Sequence, residues 1–245
     1  MFYLVAVPAV VLMGLAKGGF AGIGAMAMPL LALVISPVKA AAILLPILIV
    51  QDVVGVWAFR RDWDKGVLIL MIPSAAVGIV LGYLLAARVS ATAVLGTLGA
   101  ISIVFAAYRL WASHGGRVVA PRNASPVLGA ALGVASGFTS QIAHAGQPPF
   151  QMWVLPKGLP ATTLVGTTAI FFAAINWLKT PAYLALGQFS RENLLAAAAL
   201  MPVAIASTLA GVWLVRRVQP ERFYTIIYVL MILVGAQLIW KAVSG

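Results

Sequence analysis

The chain has 245 residues, of which 63% are hydrophobic and only 9% charged. Soluble domains average roughly 45–50% apolar and about 25% charged residues, so composition excludes a soluble enzyme and defines an integral membrane protein. The net charge of +11 lies mostly in short loops between apolar segments, where Lys and Arg set orientation, and this argues against nucleic-acid binding.

In chain order, the first apolar segment, 2–16, runs into Gly14-Leu-Ala-Lys17-Gly18-Gly19-Phe20-Ala-Gly22-Ile-Gly24, and a second, 22–36, resumes with Pro29 a turn later. No basic stretch precedes the first segment, so it does not read as a cleaved signal peptide. Segments 38–59, 66–87 and 90–112 complete a first half, and the longest polar stretch follows, from Ser113 to Ser125. The second half opens with segments 126–142 and 147–156, interrupted by Gly133-Val-Ala-Ser-Gly137-Phe-Thr-Ser-Gln-Ile-Ala-His144-Ala-Gly146-Gln-Pro-Pro149. Segments 160–186, 193–215 and 221–242 finish the chain. Full helical spans need about 17–25 residues, so 147–156 reads as a half-helix. Segments 2–16 and 22–36 either cross fully or form a re-entrant hairpin, and 126–142 with 147–156 has the same two options. Tryptophans at 57, 63, 111, 153, 177, 213 and 240 lie mostly near segment ends, where an aromatic belt anchors membrane proteins.

The two halves repeat. At an offset of 129, Pro73 maps to Pro202, Gly82 to Gly211, Arg88 to Arg217 and Trp111 to Trp240. Earlier in each half, Gly19-Phe20 matches Gly137-Phe138, Asp52 matches Asn176 and Phe59 matches Tyr183. Shared prolines, glycines and tryptophans in one register indicate an internal repeat. Loop charge gives its sense. Arg60, Arg61 and Lys65 place the loop after the third segment in the cytoplasm. Arg109, Arg117 and Arg122 then fall on the same side, as do Arg216, Arg217 and Arg222. The loop equivalent to the last of these in the first half is the outer one, with Arg88. The sequence therefore predicts an all-α polytopic membrane protein of two inverted repeats, 1–112 and 126–245, joined by a cytoplasmic linker at 113–125. Each repeat has about five segments, the first two broken or re-entrant, and both termini face outward.

A broken backbone in hydrocarbon is tolerated only where protein buries it or where it lines a cavity. A matched pair of breaks, one per half, points to a transport site. Lys17 stands in the first break among Gly18, Gly19 and Gly22. In a hairpin it lies beside free N–H groups at the start of 22–36, a setting that favours anions; in a full span it is one more cytoplasmic charge. The second break gathers Ser136, Thr139, Ser140, Gln141, His144 and Gln147, which either coordinate an oxyanion or satisfy the backbone of the break itself. Thr162, Thr163, Thr167 and Thr168 form a further hydroxyl stripe, open to a pathway role or to helix packing. Of five carboxylates, Asp52 alone lies deep in an apolar segment, roughly 12 Å from Arg60 along a helix. It needs a partner or a proton, and is read as a proton-coupling residue or as a pin between helices. Its repeat mate Asn176 is followed by Lys179, which either lends positive potential to an anion or snorkels to the interface.

The residues also resemble a known family. Gly14-Leu-Ala-Lys17-Gly-Gly, Leu45-Pro46 with Asp52-Val-Val-Gly55, Gly137-Phe138, and Phe171-Phe-Ala-Ala-Ile-Asn176-Trp-Leu-Lys179-Thr-Pro-Ala-Tyr183 are similar, in order and in both halves, to the TauE/SafE family. The resemblance implies a bacterial inner-membrane carrier that exports sulfite, sulfonates or related organic anions.

The expected function is a multi-pass secondary transporter for a small anion, with protons as an optional co-substrate, lipid as surroundings, no cofactor, no metal and no nucleic-acid partner. A passive anion or small-solute channel is the alternative, since paired half-helices also build channels. An intramembrane enzyme has little support: there is no cysteine and no evident metal-ligand set. Oligomeric state, substrate identity and direction are not encoded legibly.

Overall fold

The computed structural model describes residues 1–20, 22–86, 88–113, 125–215, 217 and 221–244. Its elements are α1 (Phe2–Lys17), a 3-10 turn (Ile23–Met26), α2 (Ala27–Ala32), α3 (Pro37–Phe59), α4 (Lys65–Ala86) and α5 (Ala91–Ser113). The second half has α6 (Pro126–Ala143), α7 (Gln147–Val154), a 3-10 turn (Leu155–Lys157), α8 (Ala161–Ala185), α9 (Arg191–Leu214) and α10 (Glu221–Ser244). Seven of these helices, α3 to α6 and α8 to α10, are long and apolar enough to cross a membrane.

All ten predicted segments are helical, and helix-start chemistry explains several boundaries. Ser36 accepts the Lys39 N–H ahead of Pro37, Ser125 accepts the Val127 N–H ahead of Pro126, and Ser190 accepts the Asn193 N–H. A capping hydroxyl followed by proline at the first helical position is a strong start signal. The two breaks are real. Segment 22–36 resolves into the turn 23–26 and a six-residue α2, and α7 has eight residues, about 12 Å of helix against a core of about 30 Å. The first break turns through Gly22 at φ 106°, a backbone region that side-chain-bearing residues rarely adopt. The linker residues 114–124, with Arg117 and Arg122, and also Arg216 lie outside the described residues.

The most extensive helix pairings are α4 with α6, α5 with α10, α1 with α9, α3 with α9, α3 with α8, and α4 with α8. Exchanging α1 for α6, α3 for α8, α4 for α9 and α5 for α10 maps this set onto itself. Close backbone approach builds both crossings of a broken helix. Gly18 in the first break packs against the backbone of Gly211 on α9, and Gly137 of α6 packs against the carbonyl of Ala75 on α4, with no room for a Cβ at either site. Small residues at such crossings let dispersion hold helices together where lipid removes the hydrophobic drive.

Among the seven long helices α3 is the most enclosed, with 56% of its span buried, so it forms the middle of the bundle beside α8. The outer faces carry large apolar side chains such as Ile69, Leu209, Leu233 and Trp240, suited to lipid. Trp153 departs from the expected belt: at 4% exposure it is packed in a core of α4, α7 and α8 residues.

Candidate functional site

The two breaks face each other. Gly24 of the first turn approaches Gln147 at the start of α7, so that a Cβ there would lie 3.5 Å from its Oε1. Between them lies a cavity of about 60 Å³, which holds a few waters or one small oxyanion. Its wall comes from α1 and α2 on one side, α6 and α7 on the other, and the central pair α3 and α8. Met13, Met28, Leu44 and Leu48 form an apolar side; Lys17, Ser140, His144, Gln147, Thr168 and Asn176 form a polar one.

Lys17, the last residue of α1, forms an ion pair with Asp52 of α3. Its ammonium also stands 5.1 Å from the centre of the Phe172 ring, within range of a cation–π contact. The other carboxylate oxygen of Asp52 accepts the Asn176 amide N–H at 2.6 Å. Asp52 is only 1% exposed and lies behind Lys17 and Asn176, which line the cavity in front of it. Both carboxylate oxygens are thus engaged, as burial of a charge requires.

Lys179 does not snorkel. It is fully buried, and its Nζ donates to the Ser140 hydroxyl at 2.9 Å, to the Ser140 carbonyl at 3.3 Å and to His144 Nδ1 at 2.7 Å. All three partners lie at the C-terminal end of α6, where positive charge is favoured. His144 caps that helix at φ 50°, the single left-handed non-glycine residue among those described. Because Lys179 is the donor to Nδ1, the imidazole proton is on Nε2, which donates to the Ala41 carbonyl at 2.8 Å. The Ser140 oxygen accepts from Lys179, leaving its own O–H to donate elsewhere, and Ser140 faces the cavity.

Six residues singled out in the sequence therefore meet in the cavity wall (Lys17, Ser140, His144, Gln147, Thr168 and Asn176), and two more, Asp52 and Lys179, support them from behind. The others lie apart from it. Ser136 donates to the Gly146 carbonyl at 2.6 Å, and the Thr139 hydroxyl is within reach of the Ala135 and Ala145 carbonyls at 2.7 and 2.9 Å. Both hydroxyls serve the backbone of the second break. Gly18 packs against Gly211 of α9, Gly19 against Val215 just after it, and Gly22 against Tyr228 of α10. Gln141 lines a different cavity, beside Tyr183. The threonine stripe divides: Thr168 reaches the central cavity, whereas Thr167 accepts the Asp64 N–H at 2.8 Å and ties α8 to the loop before α4.

Two contributors had little weight in the sequence. Phe172 supplies the aromatic face over Lys17, and its signal was its place in Thr168-x-x-x-Phe172-x-x-x-Asn176, a row of i, i+4 neighbours on one helix face. The Ala41 carbonyl, which holds His144, has no sequence signal at all.

A helical multi-pass membrane protein with a charged, solute-sized cavity between two broken segments is the class that fold and site define. The family described as sulfite exporter TauE/SafE, a family of membrane transporters, matches residues 6–238, nearly the whole chain, and the chain belongs to it. No curated protein and no solved structure matches the sequence.

Proposed function

We propose that this protein is a secondary carrier for a small oxyanion, of which sulfite is the one named in the family description. The observation that carries this reading is the convergence of Lys17, from the first break, with Ser140, His144 and Gln147, from the second, around one cavity. An oxyanion there takes the Lys17 ammonium as counter-ion and the Ser140 hydroxyl and the side-chain amides of Gln147 and Asn176 as donors. The start of α7 offers little backbone help, because Pro148 and Pro149 remove two of its first N–H groups. Side chains therefore do the coordinating.

In this reading the chain is two inverted repeats, 1–112 and 126–245, in a bacterial inner membrane, with the linker 113–125 in the cytoplasm. The pairing of helices that survives exchange of the halves, together with the loop charges, supports it.

Asp52 supplies coupling. Lys17 has one carboxylate partner, and a bound anion competes with that carboxylate for the same ammonium. A proton on Asp52 removes the competitor, so proton and anion load together. The charged groups around Asp52 are Lys17 from α1 and Lys179 from α8. An empty site closes on a neutral Lys17–Asp52 pair; a site loaded with a dianion and one proton carries one negative charge outward. An inside-negative potential favours that export by about 2.3 kcal/mol per 100 mV.

Reconstituted vesicles loaded with buffer and given sulfite outside test the proposal. Uptake of sulfite above protein-free vesicles, stimulated by an acidic exterior and accompanied by proton entry, is expected. Uptake indifferent to the pH gradient and to uncoupler would identify a passive channel instead.

A further inference from the structure

A second cavity lies immediately behind the His144 ring. It measures about 160 Å³ and is lined by Ala41, Gln141, Ile142, Tyr183 and Gln188, among others. The wall between it and the central cavity is thin and specific. His144 lines the central cavity, while Ala41, the residue whose carbonyl His144 holds, lines the second. The imidazole also stacks on Tyr183, with ring centres 5.9 Å apart and planes 29° from parallel, and the Tyr183 hydroxyl donates to the Gln141 carbonyl at 3.1 Å. The His144 side chain, held by its hydrogen bond to the Ala41 carbonyl and by the one from Lys179 and resting on the Tyr183 ring, thus stands between the two spaces.

Two further observations point to a ligand in the second space. The Gln141 side chain is 4% exposed and its Oε1 has no partner, a costly state for a buried amide unless something visits it. Rotation of that amide presents either its oxygen or its NH2 to a guest. The second cavity also continues outward: Val38, Leu186 and Gln188 line both it and an open surface depression beside the Lys39–Glu192 ion pair. The remaining wall is largely valine, isoleucine and leucine, so an anion is held weakly there, as a site on a permeation route must hold it.

We infer that the Gln141–Tyr183 cavity is a second station for the transported oxyanion, reached from the central cavity when the His144 ring leaves the Ala41 carbonyl. His144 is then the partition between the central site and the surface near Gln188. This rests on the central cavity being the anion site, and extends it by assigning the route on one side.

The cysteine-free sequence allows a direct test in reconstituted protein with 2-sulfonatoethyl methanethiosulfonate, a small anionic thiol reagent, added from the Gln188 side. Ala86→Cys reports the second cavity and Thr168→Cys the central one. The expected result is ready modification of Ala86→Cys, slow modification of Thr168→Cys, and at least a tenfold faster reaction at Thr168→Cys once His144→Ala is added. An unchanged rate at Thr168→Cys, or no reaction at Ala86→Cys, would overturn the partition. Val38→Trp, at the exposed mouth of the second cavity, covers the case in which His144→Ala misfolds. It should slow both sulfite flux and Ala86→Cys modification while leaving sulfite affinity unchanged, and normal flux with this variant would equally overturn the route. Sulfite binding that depends on Lys17, measured alongside, separates failure of the partition from failure of the central site.

Discussion

Asp52 and Asn176, 124 residues apart and equivalent in the two halves of the sequence, hydrogen-bond to each other at 2.6 Å. This contact lies where α3 and α8 meet. One mate is a carboxylate and the other its neutral isostere. The charge at this contact is therefore on the α3 side, and Lys17 is paired there.

Lys17→Ala is expected to weaken sulfite binding by a factor of ten or more, and to destabilise the fold because Asp52 is left as a buried, uncompensated charge, a loss of about 3–5 kcal/mol. The double variant Lys17→Ala/Asp52→Asn separates the two effects. It should recover most of the thermal stability in detergent and none of the affinity. Recovery of binding in the double variant would remove Lys17 from the anion site.

Lys179→Met removes three donors from the end of α6 without opening a large void. Hydrogen bonds from charged donors are worth about 1.5–3 kcal/mol each, and part of that loss is recovered by relaxation of the break. A fall in melting temperature and at least a tenfold drop in sulfite flux are expected, since Ser140 and His144 lose their common anchor. Flux at the wild-type level would show that the α6 terminus is held by other means.

Gly137→Val drives a branched side chain into the Ala75 carbonyl at the α4–α6 crossing. Overpacking of this kind typically costs about 1–3 kcal/mol, and backbone contact places this case at the upper end. Thermal unfolding of purified protein measures it; a melting point equal to wild type would mean that the crossing is loose.

Orientation is tested by cysteines at the two ends of α4, Asp62→Cys and Arg88→Cys, both at exposed positions. An impermeant maleimide added to intact cells should label Arg88→Cys at once and Asp62→Cys only after permeabilisation. The reverse pattern would invert the assignment of every loop.

The helices were legible because each polar interruption and each Ser-Pro or Gly signal stands out against an apolar background, so segment ends fell within a few residues of the observed ones. The cavity wall was partly legible for a similar reason. Lys17 stands out in the first glycine-rich interruption, and Ser140, His144 and Gln147 in the second. The partnerships were not legible. Nothing in the spacing of Lys17 and Asp52 joins them, because a contact across 35 residues depends on how α1 packs against α3. Ser136 and Thr139 were open in sequence either to coordination or to satisfying the backbone of the break, and their hydroxyls lie against carbonyls of the break. Lys179 carried the same ambiguity between a solvent-seeking and an inward-facing side chain, resolved by the burial of its face of α8 against α6.

The most direct test of the proposed coupling is the Asp52→Asn protein in vesicles with an acidic exterior. The amide keeps the shape of the protonated carboxyl and cannot exchange a proton, and Lys17 then has only the anion as a charged partner. Sulfite affinity several-fold higher than wild type, retained exchange of labelled sulfite across the membrane, and loss of accumulation driven by the pH gradient are predicted. Accumulation equal to wild type by the Asp52→Asn protein would contradict a proton-coupling role for Asp52 and reduce it to a pin between α1, α3 and α8.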